Sequence, residues 1–591
     1  MILQALVTYY EALHKQGKIS KPGWTAAKIS YALNIDEQGK LLGVIPLTRE
    51  ELRGKKTVEV PQIMGVPEGA KRSSGAVAQF LWDNSKYTLG IDATGFNKKT
   101  LERFETMKEL HNELLKKASG KSAIALKAFF NSWSPDVAMK NKELEPYLED
   151  ITGSANLVFF IFSTGKYAQD DEELIKIWEK YLATNHNDVK EQCLITGKVA
   201  PIVRTHPMIK GITGAQSSGA ALVSFNAEAY ESYGKKQGMN APISEYAAFA
   251  YTTALNHLIV DRKHTQNLGD TTVVYWAKTA ETQYADCYGL ANFNPNSVSE
   301  GELATIFSNI SAGKKANFAD LPLDPQNEFN VLGLSPNAAR LSVRFFYHNK
   351  FGAIMDNLKR YYDELNIVKP SYEKWNYLPL WVLLNETTNK NAKNVQVAPL
   401  LMGAVMRSIL TGSRYPQALY ENILLRVKAD QDVEEKGKTT ARKITWAKAA
   451  ILKACLRRNY NNKEEATVSL NEESKDKAYV LGRLFAVLEH LQESANPGVN
   501  STIKDRYFNS ACTSPSLIFP VLLKLANHHL RKIEVEKGKQ VYFEKHIGEI
   551  EDKLEMNEHP IPMHLGLEEQ GKFILGYYHQ VQKRFEKKED K

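Results

Sequence analysis

Cysteine is scarce in this chain, and its spacing excludes two classes of small structural domain. Four cysteines are scattered over 591 residues without a CxxC pair: Cys193, Cys287, Cys455 and Cys512. This pattern excludes a disulfide scaffold and a zinc finger or ribbon built on local cysteine pairs. Because free cysteines fit a reducing compartment, we expect a cytoplasmic protein.

Long apolar runs are missing as well. No stretch of about 18 apolar residues occurs, so we expect no membrane span. The N-terminal stretch MILQALVTYYEALHKQGK has no basic n-region and no small-residue cleavage site, which argues against a signal peptide. Its apolar residues recur at the spacing of one helix face and predict an amphipathic helix.

Familiar catalytic motifs are also absent. The glycine-rich stretch Gly211–Gly219 ends without the Gly-Lys-Ser/Thr of a phosphate loop and lacks Rossmann spacing. GxSxG and HExxH do not occur. Cys193 and His206 have no further ligand at a suitable spacing, so we expect both to be structural. We therefore predict no catalytic residue, no metal and no cofactor, although the carboxylates of a nuclease could still converge from distant segments.

The composition is that of an ordinary globular protein with several domains. Hydrophobic residues make up 43% and charged residues 24% of the chain. We expect an α+β, multi-domain fold with a mixed α/β N-terminal domain (1–160), a central mixed α/β body (161–465) and an all-helical C-terminal bundle (478–591). The polar stretch NYNNKEEATVSLNEESKDK (459–477) predicts a linker or an exposed excursion before the bundle.

Local patterns predict individual elements. ANLVFFIFSTG predicts a buried strand, and TTVVYWA and ARLSVRFFYHN predict two more. IDEQGKLLGVIPL predicts a hairpin with Gly39 near its turn, and SKYTLGIDATG a strand that ends at Gly95. Ser244 is placed to cap the helix of SEYAAFAYTTALNHLI. The stretch SAGKKANFADLPLDPQNEF, with its Pro, Asp, Asn and Gly, predicts a loop.

Positive charge is concentrated in one short segment. The chain carries 76 Lys and Arg against 68 Asp and Glu, a net charge of +8. Residues 401–460 alone hold twelve Lys or Arg against five Asp or Glu, a net of +7, whereas residues 478–591 hold sixteen of each sign. A basic helical stretch suits a surface that tracks phosphates, and it is equally typical of a solvated, salt-bridged helix face.

Several loops combine cations with side chains that can reach base edges. Lys and Arg can hold phosphates, while Asn, Gln and Ser can form hydrogen bonds in a groove. Ordinary surface turns have the same composition. From these loops and the basic segment we select as candidate nucleic-acid contacts Lys71, Arg72, Ser73, Ser74, Asn84, Lys210, Gln216, Ser217, Ser218, Asn226, Lys235, Lys236, Arg407, Arg457 and Arg458.

Several blocks, in order along nearly the whole chain, carry a resemblance to a known family. The first two are KRSSGAVAQFLWDNSKYTLGID and RTHPMIKGITGAQSSGAALVSFNAEAYESYGKKQGMNAPISEYAAFAYTTALN. The others are NVLGLSPNAARLSVRFF, VAPLLMGAVMRSILTGSRYPQALYENILLRVKAD, LGRLFAVLEHLQESA, DRYFNSACTSPSLIFPVLLKLANHHL and LEEQGKFILGYYHQ. Together they resemble the large subunit of the type I-C CRISPR Cascade, the RNA-guided surveillance complex of bacteria.

The resemblance implies a non-catalytic protein near the 5′ handle of the guide RNA. Such subunits recognise the protospacer-adjacent motif, typically 5′-TTC, in duplex DNA, help to open the duplex and stabilise the R-loop. Base pairing then reads the long sequence and protein reads the short flank. The alternatives are a nuclease or a purely structural nucleic-acid-binding scaffold. The implied partners are the guide RNA, the target double-stranded DNA, the Cascade backbone and handle-binding subunits, the small subunit and the helicase–nuclease, with no membrane.

The resemblance also assigns roles to residues. Lys71–Ser73 and Asn84 match a block in the family's flank-reading region and are expected to contact the flank duplex, with the Gly211–Gly219 loop nearby. The expected phosphate contacts to displaced strand or guide are Arg407, Arg457 and Arg458.

In type I-C systems the small subunit can be translated from an internal start in this gene, and it then consists of the C-terminal bundle. Because no methionine lies between Met406 and Met556, such a product needs a non-AUG start. The candidate start positions are Val468, Leu470 and Val480.

Overall fold

The computed structural model confirms an α+β architecture. It describes residues 1–53, 56–69, 75–153, 155–184, 189–311, 313–318, 321–390, 397–435, 438–533, 537–554 and 559–585. None of the described helices combines the length and apolarity needed to cross a membrane. The chain divides into an N-terminal unit, Leu6–His206 with Ser224–Tyr251, and a C-terminal unit, Met1–Ala5 with Pro207–Val223 and Thr252–Lys591.

The first 260 residues hold ten strands and seven α-helices among the described residues. The strands are β1 (Trp24–Ile29), β2 (Tyr31–Ile35), β3 (Leu41–Pro46), β4 (Thr48–Arg53), β5 (Lys56–Pro67), β6 (Trp82–Asn84), β7 (Asn156–Ile161), β8 (Lys166–Tyr167), β9 (Lys190–Gln192) and β10 (Val199–Pro201). The helices are α1 (Ile2–Lys15), α2 (Ser85–Thr88), α3 (Lys98–Leu114), α4 (Lys121–Ser132), α5 (Leu148–Gly153), α6 (Glu172–Thr184) and α7 (Glu245–Val260).

The main sheet of the N-terminal unit has the strand order β3-β2-β7-β6, with β8 paired to β7. Strand β7 is the buried strand expected from ANLVFFIFSTG, and it runs parallel to β2. Phe159 of β7 packs against Phe129 and Phe130 of α4, with ring centroids 5.3 and 5.6 Å apart. A second, antiparallel sheet has the order β1-β5-β4.

The predicted hairpin around Gly39 is confirmed. Strands β2 and β3 pair in antiparallel register on either side of it. Gly39 has a φ of +77°, and a Cβ there would lie 2.1 Å from the backbone nitrogen of Phe129. Both the backbone conformation and the packing therefore require glycine.

Two local predictions are wrong. SKYTLGIDATG does not form a strand, because Asn84 Oδ1 accepts a hydrogen bond from the Lys86 N–H at 3.2 Å and starts the short helix α2. Gly90, with a φ of +73°, then turns the chain. The predicted loop SAGKKANFADLPLDPQNEF contains a short antiparallel strand pair, Ala316–Phe318 with Leu321–Leu323. A local cap in the first case, and the pairing of two neighbouring short strands in the second, outweigh composition.

The rest of the chain, all in the C-terminal unit, holds eight further strands and twelve further α-helices among its described residues. The strands are β11 (Thr265–Leu268), β12 (Thr271–Ala277), β13 (Ala316–Phe318), β14 (Leu321–Leu323), β15 (Glu328–Asn337), β16 (Arg340–Lys350), β17 (Val433–Glu435) and β18 (Lys438–Ala441). The helices are α8 (Thr282–Phe293), α9 (Glu300–Ser311), α10 (Phe351–Leu365), α11 (Leu380–Glu386), α12 (Pro399–Thr411), α13 (Gln417–Ala429), α14 (Trp446–Asn459), α15 (Lys477–Ala495), α16 (Ile503–Thr513), α17 (Pro515–Lys532), α18 (Lys537–Glu551) and α19 (Leu567–Lys583).

One face of an antiparallel sheet, in the order β11-β12-β15-β16, forms part of the core of the C-terminal unit. Strands β12 and β16 are those expected from TTVVYWA and ARLSVRFFYHN. Tyr275 of β12 and Phe329 of β15 both pack against Tyr288 of α8, with ring centroids 5.0 and 5.2 Å apart. This apolar contact fixes α8 on the sheet.

Helices α15–α19 form the predicted helical C-terminal region. Helix α15 begins at the cap formed by Asp476, whose Oδ1 accepts a hydrogen bond from Tyr479 N–H at 3.0 Å. The preceding polar stretch is not a free linker, because Glu465 and Ser474 are both buried and Ser474 Oγ donates to Glu465 Oε1 at 3.0 Å. Hydrogen bonding of these polar side chains explains how so polar a stretch is packed.

Candidate nucleic-acid interface

The Gly211–Gly219 loop in the C-terminal unit is closed at its base by backbone pairing. Ile209 and Ala220 exchange two hydrogen bonds of 2.9 Å. Gly219 has a φ of +99°, and a Cβ there would lie 2.7 Å from the Ile209 carbonyl oxygen. Glycine is therefore needed where the two ends of the loop meet. The predicted contacts on this loop are all exposed: Lys210, Gln216, Ser217 and Ser218.

An amide that the sequence did not single out holds this loop in place. Asn256 of α7 accepts a hydrogen bond from the Lys210 N–H at 2.8 Å and donates one to the Met208 carbonyl at 3.2 Å. The two bonds fix the backbone on which the Lys210 side chain is carried. No local sequence signal could have revealed this, because the two segments are more than 45 residues apart.

The loop at 224–240 belongs to the N-terminal unit. Asn240 organises it, since its Oδ1 accepts from the Ser232 N–H at 2.9 Å and its Nδ2 donates to the Lys235 carbonyl at 2.9 Å. Lys235 Nζ lies 3.3 Å from Glu191 Oε2. Both side chains are partly exposed, so this ion pair is weak and leaves the ammonium group within reach of a ligand. The predicted contacts Asn226 and Lys236 are exposed as well.

The N-terminal block of predicted contacts is only partly visible. Lys71, Arg72, Ser73 and Ser74 lie outside the described residues. Asn84 is half-buried and caps α2 through its Oδ1, while its Nδ2 has no partner in the described part of the chain. A primary amide whose NH2 group is unengaged can donate hydrogen bonds to a base edge or a phosphate.

A buried histidine fixes the backbone just before Asn84. Leu81 has the left-handed φ of +68°, and its N–H donates to His111 Nε2 at 3.0 Å. His111 Nδ1 lies 2.8 Å from the Met107 carbonyl, so Nδ1 carries the ring proton. Complete burial lowers the pKa of His111 to about 4, which keeps the ring neutral. The strained turn that leads to Asn84 is thus held from inside the protein.

The basic segment 401–460 divides into buried and exposed cations. Four of them lie inside the C-terminal unit: Lys443, Lys448, Lys453 and Arg458. Lys448 Nζ lies 2.5 Å from Asp430 Oδ2, and Lys453 Nζ donates to the Glu364 carbonyl at 2.9 Å. Much of the positive charge counted in this segment therefore serves the interior of the protein.

Arg458 is a correction to the predicted phosphate contacts. Its side chain is 2% exposed, and its Nε donates to Glu364 Oε2 at 2.7 Å. Its Nη1 donates to the carbonyls of Ser408 and Ser413 at 3.0 and 3.2 Å. Because the guanidinium lies inside the protein, it offers no surface to a phosphate, and we withdraw the assignment.

Arg407 and Arg457 remain candidates because both side chains are exposed. Arg407 lies near the end of α12, and Arg414, also exposed, follows in the next turn. Arg360 of α10 reaches the same turn, with its Nη1 donating to the Gly412 carbonyl at 3.5 Å, but its Nε is ion-paired with Glu364 Oε1 at 2.9 Å. Arg407 and Arg414 therefore form a local positive surface of the kind that binds phosphates.

Cys193 and His206 are held by ordinary structural contacts. Burial raises the pKa of the Cys193 thiol, but hydrogen bonds donated to its Sγ by the Ser244 and Thr196 segments outweigh this and lower the pKa to about 7. The His206 ring is hydrogen-bonded to Tyr251 Oη at 2.9 Å. Ser244 also caps α7 as expected, its Oγ accepting from the Ala247 N–H at 3.2 Å. Among the described residues, no three His, Cys, Asp or Glu side chains are grouped to hold a metal ion.

The structure is that of a multi-domain α+β protein with exposed polar and basic loops. The family model described as "CRISPR-associated protein (Cas_Csd1)" matches residues 6–585. The chain therefore belongs to this family of CRISPR-associated proteins. No curated protein matches the chain.

Proposed function

We propose that the chain is the non-catalytic large subunit of a type I-C Cascade complex. It recognises the protospacer-adjacent motif in duplex DNA, helps to unwind the target, stabilises the R-loop and recruits the helicase–nuclease. The observation that carries the proposal is the family match over residues 6–585, which agrees with the ordered sequence blocks. In such a complex the guide reads the target, and the protein needs to read only the flank.

The exposed loops supply the chemistry that reading a flank requires. Gln216 and Ser217 can donate and accept hydrogen bonds at base edges, and the neighbouring Lys210 ammonium can hold a phosphate. In the N-terminal unit, the free Nδ2 of Asn84 and the exposed Lys236 offer the same two kinds of contact. These groups are carried on backbone that is fixed by internal hydrogen bonds, which reduces the ordering cost of binding.

The proposed partners are the guide RNA, the backbone and handle-binding subunits, and a small subunit translated from within this gene. A product that begins at Val468 or Leu470 keeps the Asp476 cap of α15, whereas one that begins at Val480 loses it. Loss of an N-cap costs about 1 kcal/mol of helix stability. We therefore favour the starts at Val468 and Leu470. We also propose that the protein acts in the cytoplasm.

The test is DNA binding by the assembled complex. Duplexes that match the guide and carry either 5′-TTC or a scrambled flank are compared, for the wild-type chain and for Gln216→Ala. We expect the correct flank to bind at least about 10-fold more tightly, since even one mismatched pair costs about 1–3 kcal/mol. Equal affinity for every flank would contradict flank recognition and favour a purely structural nucleic-acid-binding scaffold. Cleavage of DNA by the isolated chain in the presence of Mg²⁺ would favour the nuclease instead.

A further inference from the structure

One face of helix α17 in the C-terminal unit is exposed along almost the whole helix. Its exposed residues follow one another at intervals of four, three, four and three positions, which places them in a single row. The row is about 21 Å long, since an α-helix rises 1.5 Å per residue. None of the candidate nucleic-acid contacts lies on this helix. The residues of this α17 face are Leu517, Val521, Lys524, His528 and Arg531.

The first half of the α17 face is apolar. Leu517 is 70% exposed and Val521 is 43% exposed. The Ser516 N–H donates to the Pro562 carbonyl at 3.2 Å, which brings the next residue, Met563, beside the first turn of α17, and Met563 is 73% exposed. Apolar side chains gain free energy when they leave water, and neighbouring exposed ones mark a surface that binds a partner.

The second half of the α17 face is basic. Lys524 and Arg531 are exposed, and neither side chain forms an ion pair or a hydrogen bond with another described residue. The helix itself contains no Asp or Glu that could balance them. Residues 478–591 as a whole hold sixteen charges of each sign, so the positive excess is a local property of this helix.

Stabilisation of the helix end does not account for this charge. Cations in the last turn of a helix are favoured by the free carbonyl groups there, and Lys532, whose Nζ donates to Asn496 Oδ1, occupies that position. Lys524 lies about two turns before the end of α17. Because the effect falls off within the last turn, it does not reach Lys524.

Two other occupants fit the α17 face less well. A nucleic acid would use the cations but leave Leu517 and Val521 in water, since the face offers no aromatic ring on which a base could stack. A second copy of the same face would bring like charges together, or would place unpaired cations against leucine and valine. Both arrangements cost free energy. Charge complementarity therefore favours a partner with carboxylates next to apolar side chains.

We propose that the α17 face is the docking site for an acidic amphipathic helix of a partner protein. Alternating intervals of three and four residues are the spacing at which two helices pack along a seam. Apolar side chains of the partner helix cover Leu517 and Val521, and its carboxylates, one to two turns further along, pair with Lys524 and Arg531. This surface binds protein and goes beyond the proposed recognition of DNA.

The test is site-specific crosslinking in cells that contain the assembled complex. The full chain carries the photoreactive substitution Val521→p-benzoylphenylalanine, and mass spectrometry identifies the crosslinked segment. We expect a segment of another protein that has two apolar residues three or four positions apart and at least two Asp or Glu within the next two turns. The matched control position is Leu425 of α13, which is 58% exposed and has Glu421, an acid, one turn before it. It should yield no such crosslink.

Charge reversal tests the pairing itself. With the photoreactive residue kept at position 521, the combined substitutions Lys524→Glu and Arg531→Glu should lower the crosslink yield about 10-fold or more. Lys314→Glu, at an exposed lysine elsewhere in the C-terminal unit, should leave the yield unchanged. Lysines in place of the mapped acids of the partner should restore the yield with the charge-reversed chain.

Four results would overturn the proposal. A crosslink to nucleic acid would make the α17 face a phosphate-binding surface, and a crosslink to a second copy of this chain would make it a self-association surface. A yield no higher than that from position 425, both without and with target DNA, would show that the face has no partner. A protein crosslink that survives charge reversal would show that the cations take no part in docking.

Discussion

Arg458 Nε and Glu364 Oε2 lie 2.7 Å apart, and both side chains are almost fully buried, at 2% and 6% exposed. The same carboxylate oxygen accepts a hydrogen bond from Tyr415 Oη at 3.0 Å, and Glu364 Oε1 accepts from Arg360 Nε at 2.9 Å. The pair ties α14 to α10 and, through the Ser408 carbonyl, to α12. An arginine in the most basic segment of the chain thus holds helices together.

Removal of Arg458 should destabilise the protein. Arg458→Met leaves the Glu364 carboxylate buried beside fewer partners, and removal of one member of a buried ion pair costs about 3–5 kcal/mol. Urea unfolding of the full chain measures this. The adjacent Arg457, whose side chain is exposed, is the matched control, and Arg457→Met should change the free energy of unfolding by no more than about 0.5 kcal/mol. Equal effects of the two substitutions would contradict the structure.

The exposed arginines should act on nucleic acid instead. Arg407→Gln and Arg457→Gln should each weaken DNA binding about equally for all sequences and reduce the slope of log affinity against log salt by about 1. The slope is measured with the assembled complex between about 50 and 200 mM salt. Arg458→Met, measured at a temperature at which it remains folded, should leave the slope unchanged. An unchanged slope for Arg407→Gln would show that this side chain does not contact a phosphate.

Lys453 should make stability depend on pH. Burial, reinforced by the nearby Arg457, lowers the pKa of Lys453 to about 8, and its side chain lies inside the protein. An unfolded lysine titrates near 10.5, so between pH 8 and 10.5 the unfolded chain holds a proton that the folded chain has lost. Stability from this group therefore rises as the pH rises through that window, and it is constant below it.

The measurement is a difference between two proteins. Urea unfolding of the wild type and of Lys453→Met at pH 7.5 and pH 10 should show the wild type gaining about 2 kcal/mol on the variant at the higher pH. Cysteines and tyrosines with raised pKa values titrate in both proteins and cancel in the difference. Parallel curves would show that Lys453 titrates near its ordinary value.

The sequence predicted the elements whose signal is local. Strands β7 and β12 are continuous apolar runs, and the first helix of the C-terminal region carries apolar residues at helical spacing. The segment around Asn84 misled the prediction because its apolar alternation resembles a strand, while one hydrogen bond from Lys86 N–H starts a helix there.

The loops of the candidate interface could be predicted from the sequence, whereas the contacts that hold or bury its side chains could not. Closely spaced glycines indicated the Gly211–Gly219 loop correctly, because left-handed turns leave that pattern in a sequence. The clamp by Asn256 and the burial of Arg458 left no such pattern. Glu364 stands 94 residues before Arg458, so only the fold could show that the charge of Arg458 is already balanced by Glu364.

Two glycines should be essential where α15 crosses α19. A Cβ at Gly482 would lie 2.0 Å from the Phe573 carbonyl oxygen, and one at Gly576 would lie 2.2 Å from the Tyr479 carbonyl oxygen. Because backbone cannot move aside cheaply, Gly482→Ala should cost about 1–3 kcal/mol or more in the free energy of unfolding. Gly548→Ala on α18 is the matched control, since nothing lies within 4 Å of its added Cβ. The control should be neutral or stabilising by up to about 1 kcal/mol, because alanine favours helix. Similar losses for both variants would show that the helices do not cross this closely.

Two atoms of the Asn84 side chain have different roles, one structural and one proposed for DNA binding. A single substitution can therefore separate the two roles. Its Oδ1 caps α2, and its Nδ2 is the donor proposed to reach the flank duplex. Asn84→Ala would remove both and lose about 1 kcal/mol of helix stability through the missing cap. Asn84→Asp keeps an oxygen that accepts from the Lys86 N–H, and the N–H groups at a helix N-terminus favour a negative charge. The same substitution replaces the Nδ2 donor with a charged acceptor.

Asn84→Asp should therefore unfold with the free energy of the wild type, within about 0.5 kcal/mol, while binding of flank-bearing duplex by the assembled complex falls roughly 10- to 100-fold. Asn131→Asp on α4 is the matched control, because Asn131 Oδ1 also accepts one hydrogen bond, from Asn112 at 3.2 Å, and its side chain is exposed. It adds the same charge to the same unit and should leave the affinity unchanged. Equal losses for both variants would reflect the added negative charge alone, and no loss for either would remove Asn84 from the interface. Only a loss confined to Asn84→Asp assigns the contact to the amide.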